Sequence, residues 1–119
     1  MIRNIVFAIL LTSFFCTGHA EGQQKFIDGV GDLPLMEGLQ VLEGTLSQVD
    51  SPEGRVVVVE AAGYVPAAKV KEFYQGVLGN LGWQCAAENC FERDREKLSL
   101  TISEEGGESF VTFTLSPKS

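Results

Sequence analysis

Cys85 and Cys90, in the stretch GWQCAAENCFE, are the residues of this chain whose type and spacing most invite chemistry. Paired thiols serve as a redox couple, as metal ligands or as a covalent staple. A redox couple usually has two residues between its cysteines and sits at a helix N-terminus, where the dipole favours the thiolate. Here four residues intervene, and both flanks read as strands. A zinc site needs about four ligands. The remaining cysteine, Cys16, and the one histidine, His19, both fall within the first twenty residues.

Those twenty residues, MIRNIVFAILLTSFFCTGHA, have the form of a signal peptide. Arg3 supplies a positive start, Ile5 to Leu11 an apolar run, and Gly18 and Ala20 the small residues read by a signal peptidase. The expectation is cleavage after Ala20 and a periplasmic address, with an uncleaved anchor as the alternative. Cys16 is a poor lipid acceptor, because the bulky Phe15 precedes it where a small residue is wanted. Cleavage removes Cys16 and His19 together. An exported chain with two cysteines left favours a Cys85–Cys90 disulfide. Closing a ring of about six residues adds roughly 2 kcal/mol by chain entropy.

Losing the histidine also narrows catalysis. Ser-His-Asp and Cys-His arrangements are excluded from the mature chain. No phosphate-binding glycine loop and no serine–lysine motif is visible, and no carboxylate pair stands out by its spacing. Glu104, Glu105 and Glu108 surround Gly106 and Gly107 over too short a span for a calcium loop, and read as a solvated hairpin tip. Tyr64, Lys69 and Lys71 near a helix start read as solvated surface. No metal, no cofactor and no enzymatic activity are expected. The whole chain carries −7, and the signal contributes only Arg3, so the remainder carries −8. That acidity disfavours nucleic acid and anionic membrane surfaces.

The elements that position the cysteines follow from periodicity. Residues 21–40 read as an extended arm: Gly29, Gly31, Pro34 and Gly38 break any period, yet Phe26, Ile27, Leu33, Leu35 and Met36 are too apolar for a disordered tail. Leu33, Pro34, Leu35 and Met36 form an interaction strip if exposed. A single domain over 41–117 follows. Leu42, Gly44 and Leu46 alternate as one strand. Asp50 to Gly54 is a turn. Val56 to Val59 read as a central strand covered on both faces, or nearly so. A helix spans Pro66 to Leu81, with Val70, Phe73, Tyr74, Val77, Leu78 and Leu81 on its core face and Gly82 as its stop. Trp83 pins helix to sheet. Strands Trp83–Ala86 and Cys90–Arg93 flank a short turn, and two alternating strands follow, with Leu98, Leu100, Ile102, Val111, Phe113 and Leu115 inward. The class is α+β, one helix on an antiparallel meandering sheet of five to six strands, in the order ββ-α-βββ(β). One helix covers part of one face. The arm, a partner or a second copy must cover the other.

DLPLMEGL, DSPEGRVVVVEAAG and VKEFYQGVLGNLGW, in that order behind a signal peptide, resemble a group of small exported proteins of Gram-negative bacteria, chiefly alphaproteobacteria. The resemblance spans most of the mature chain. It implies a periplasmic address and assigns no activity, cofactor or catalytic residue.

Function is therefore reached by elimination. The leading expectation is a non-enzymatic interaction or accessory module that engages an envelope protein or itself, with no membrane span after cleavage. The alternatives are a carrier of a small apolar ligand or lipid in a groove between helix and sheet, and, behind that, a small hydrolase.

Overall fold

The computed structural model describes residues 25–27 and 29–118. The expected signal peptide and the first residues of the arm lie outside the described residues. The elements are β1 (Gln40–Val41), β2 (Ser47–Ser51), β3 (Gly54–Gly63), α1 (Ala67–Asn80), β4 (Gln84–Ala87), β5 (Cys90–Arg93), β6 (Glu96–Glu105) and β7 (Glu108–Pro117). All pair antiparallel in one seven-stranded sheet ordered β1-β3-β7-β6-β5-β4, with β2 also on β3. This is the α+β class read from the sequence, with more strands.

The extra strand arises where the expected alternation of Leu42, Gly44 and Leu46 fails. β1 and β2 are two pieces of one interrupted edge. Gln40 and Val41 pair with Ala62 and Ala61, and Ser47 resumes opposite Val58. Between them the chain loops out and Thr45 takes over the ladder. Its hydroxyl donates to the Leu42 carbonyl at 2.6 Å and accepts from the Glu60 N–H at 3.1 Å. The backbone donor that the loop would strand is thereby satisfied.

Helix α1 starts one residue later and stops one residue earlier than the periodicity suggests, with Pro66 and Leu81 as its caps. Pro66 has no side chain to cap the orphan N–H groups. Glu104, near the end of β6, supplies the acceptor instead, at 3.1 Å from the Ala67 nitrogen. At the other end Gly82 has φ +92°, and the Gly82 and Trp83 N–H groups bond back to Gly79 and Leu78 at 3.2 and 3.0 Å. That is a Schellman stop, and it delivers Trp83 into the core beside Leu78.

The period of two sorts the sheet into unlike faces. Inward lie Val57, Val59, Ala61, Phe91, Leu98, Leu100, Val111, Phe113 and Leu115, all buried. Val70, Tyr74 and Leu78 of α1 pack on them, with Phe73, Val77 and Leu81 at the margin. The valine run is thus covered on one side only: Val57 and Val59 are fully buried while Val56 and Val58 are half-exposed.

The arm lies on the same face as the helix. Ile27, Val30, Leu33, Leu35 and Leu39 join the same core cluster. At about 1.5–3 kcal/mol for each buried large apolar side chain, this is a major share of the core. The arm enters β1 by crossing β3 at Gly63, where a Cβ would stand 1.9 Å from the Gly38 carbonyl oxygen. Only glycine fits there.

Candidate functional site

The two cysteines sit on the edge hairpin β4–β5, but they do not face one another. Cys85 pairs with Phe91 and Cys90 with Ala87, and the register shifts between Cys85 and Ala87. Ala86 is the unpaired residue of a β-bulge. Where the sequence leads one to expect a disulfide, the structure has two free cysteines, Cys85 exposed and Cys90 half-buried. The reason lies in the flanks. Moving β4 by one residue to oppose the cysteines would turn its side chains to the other face. Trp83, 4% exposed, would leave the core. Trp83 and Phe91 therefore hold the bulged register.

The expected interaction strip is spent on the fold. Leu33, Pro34 and Leu35 are buried and Met36 is half-buried. Tyr74 is why that stretch lies where it does. Its hydroxyl donates to the Pro34 carbonyl at 2.9 Å and accepts from the Met36 N–H at 3.1 Å. Its ring meets Phe73 and Phe113 edge-on, with centroids 4.8 and 5.3 Å away. Burial pushes the phenol up to about 12, against the pull of the Met36 N–H. Such a group holds its proton through the physiological range and acts as a latch rather than an acid.

A second tether crosses the arm. Arg93 forks onto Asp32 at 2.8 and 3.3 Å, donates to the Leu81 carbonyl at 2.9 Å and stacks 4.4 Å over the Trp83 ring. The guanidinium's hydrogen bond holds the Asp32 carboxyl below its ordinary value, and the same bond raises Arg93. The ion pair joins residues 61 apart, and nothing in the local sequence signals it. Around Arg93 lies a polar cleft of about 230 Å³, lined by Gly82, Gln84, Glu92, Asp94 and Lys118. Its second cation, Lys118, is bonded to Glu92 at 3.2 Å. Glu88 is likewise lowered by the hydrogen bond from Lys71 at 2.6 Å. Tyr64 stands exposed, and the helix start beside Lys69 and Lys71 already holds the Glu104 carboxylate. Among the described residues no group of three His, Cys, Asp or Glu side chains is placed to hold a metal ion.

The remaining surface is the outward face of the sheet. The register aligns Val49 with Val56, Ser47 with Val58, Thr114 with Ser99, Thr112 with Thr101, and Phe110 with Ser103. Every one of these side chains is exposed or half-buried, and none belongs to the core cluster. Ser99-x-Thr101-x-Ser103 and Thr112-x-Thr114-x-Ser116 lay hydroxyls side by side on two ten-residue strands. The alternation that marked the inward residues also marked these, and this is the uncovered face that the sequence reading left for the arm, a partner or a second copy to cover. Among the described residues no helix is long and apolar enough to cross a membrane. No protein family, curated protein or solved structure matches the chain.

Proposed function

We propose that the chain is a non-enzymatic module of the periplasm that binds an envelope protein, or a second copy of itself, through the outward face of its sheet. The observation that carries this reading is the asymmetry of the two faces. Helix and arm crowd onto one, burying Val57, Val59, Leu98, Val111, Phe113 and Leu115 beneath them. The other presents Val49, Val56, Val58 and Phe110 among short hydroxyls, on strands too well paired to rearrange. A surface of that kind carries mostly small side chains that cost little entropy to immobilise. The carrier reading finds no support, because the arm's Ile27, Val30, Leu33 and Leu35 fill the space beside the helix where a ligand would lie.

The test contrasts the faces. Thr112→Arg and Thr101→Arg place long cations on the outward face, and Gln75→Arg places one on the exposed side of α1. All three keep their circular dichroism and urea midpoint. The outward pair abolishes association, measured by sedimentation for self-association and by envelope pull-down for a partner, and Gln75→Arg leaves it intact. Loss of association in Gln75→Arg alone refutes the assignment.

A further inference from the structure

We infer that β2 is a dimer edge, along which a second copy of the chain adds its own β2 antiparallel and joins the two sheets into one. The surface is the rim of the sheet, distinct from its outward face, and the inference does not rest on the docking reading.

Among the described residues β2 pairs only with β3, so its other side is open. The direction of each backbone group follows from Glu60. The Glu60 carbonyl accepts from the Leu42 N–H at 2.8 Å, and the Glu60 N–H donates to the Thr45 hydroxyl oxygen at 3.1 Å. Glu60 therefore turns its backbone towards β1 and β2, and by the antiparallel alternation so do Val58 and Val56. Their rung partners Ser47 and Val49 spend their own groups on β3. Gln48 and Asp50 then aim theirs off the rim, and both residues are exposed. Such an edge is a template for another strand. The opposite rim is blunted: β4 carries the bulge at Ala86, and Lys71 pairs with Glu88 at its turn.

The occupant follows from the sequence Ser-Gln-Val-Asp-Ser, which complements itself about Val49. A two-fold axis there sets Ser47 against Ser51, Gln48 against Asp50, and Val49 against Val49 of the second copy. Each Gln48–Asp50 rung exchanges a pair of backbone hydrogen bonds between the groups that point off the rim. On the same rung the Gln48 amide donates to the Asp50 carboxylate, and no like charges meet. On the outward side Val49 is 59% exposed and has Val56 as its rung partner. The dimer lines up Val56, Val49, Val49 and Val56 across the seam and covers the exposed pair at its centre. Both outward faces stay open, side by side.

The seam is short, so the dimer is weak, and the purified chain is followed from about 20 μM to about 1 mM by sedimentation and by amide exchange in nuclear magnetic resonance. The expected result is a monomer–dimer equilibrium in which the Gln48 and Asp50 amides slow by about ten-fold or more as the dimer fills, while Val49, already bonded to β3, does not change. Gln48→Pro deletes an off-rim N–H that the monomer's ladder does not use, and abolishes the dimer. Gln48→Glu sets like charges together on both symmetric rungs and weakens the dimer about ten-fold, whereas Gln48→Lys tightens it at low salt. Association that survives Thr101→Arg with Thr112→Arg and disappears on adding Gln48→Pro belongs to the edge, so the edge and the face fail separately. A monomer at every concentration overturns the proposal. So do a dimer that leaves Gln48 and Asp50 exchanging freely, equal effects of Gln48→Glu and Gln48→Lys, and protection of both amides already complete in the monomer, which means that the chain covers its own rim.

Discussion

Replacing Tyr74 by phenylalanine removes one oxygen and nothing else. The ring keeps its edge-on contacts with Phe73 and Phe113, so no large cavity opens. The Pro34 carbonyl loses its donor at 2.9 Å and the Met36 N–H its acceptor at 3.1 Å, at a position where Tyr74 is 1% exposed. Two hydrogen bonds at about 1 kcal/mol each, together with the stranding of two backbone groups, place the loss at about 2–3 kcal/mol. The loss is global, because the arm shares one core with the sheet and its five buried side chains rival a small domain's whole stability of about 5–15 kcal/mol. The assay is urea unfolding at neutral pH. With a slope of about 1 kcal/mol per molar, the midpoint falls by about 2–3 M and the slope holds. The same latch sets an alkaline limit. The Tyr74 pKa is raised by burial from about 10 unfolded to about 12 folded, so its contribution is complete below about pH 10 and fades as the pH climbs to 12. The wild type loses stability across that window and Tyr74→Phe does not. A loss under about 0.5 kcal/mol, or arm release in a separate earlier transition, refutes the reasoning.

Gly63→Ala drives a Cβ to 1.9 Å from the Gly38 carbonyl oxygen and costs about 3 kcal/mol or prevents folding, read from the urea midpoint. Gly76→Ala and Gly79→Ala, which meet nothing within 4 Å on the exposed side of α1, each raise stability by about 0.5–1 kcal/mol in the same assay. Asp32, lowered by the Arg93 hydrogen bond, contributes above about pH 4 and loses that contribution as the pH falls through its folded value. With Asp32 half-exposed, solvent screening leaves about 0.5 kcal/mol. Acid titration of stability should therefore flatten in Asp32→Asn below pH 4.

Local patterns gave the helix and the long strands their places in advance. The 3.6 period of Val70, Tyr74 and Leu78 and the strict alternation of Leu98, Leu100, Val111, Phe113 and Leu115 are short-range signals, and tertiary packing follows them. Gly82 was legible as the helix stop for the same reason. The breaks came where one side chain replaced a backbone partner or one residue was inserted. Thr45 substitutes for a rung at Glu60, which no periodicity encodes. The bulge at Ala86 turns a facing cysteine pair into a staggered one, and a one-residue insertion leaves no compositional mark. The arm was recognised as apolar, yet its place on the helix side depends on Tyr74 and Arg93, 38 and 61 residues away. The outward face was visible as the polar half of the alternation. The sequence left that face to be covered by the arm, a partner or a second copy, and the structure removes the arm from that choice by packing it on the helix side.

The docking face is tested most directly by photo-crosslinking in living cells, with the probe placed in turn at Val49, Thr101 and Thr112 on the outward face and at Glu72 and Gln75 on α1. The account predicts discrete crosslinked products, to a partner or to a second copy, from the three sheet positions and none from the helix positions. Products confined to Glu72 and Gln75, or silence at all three sheet positions, would contradict it.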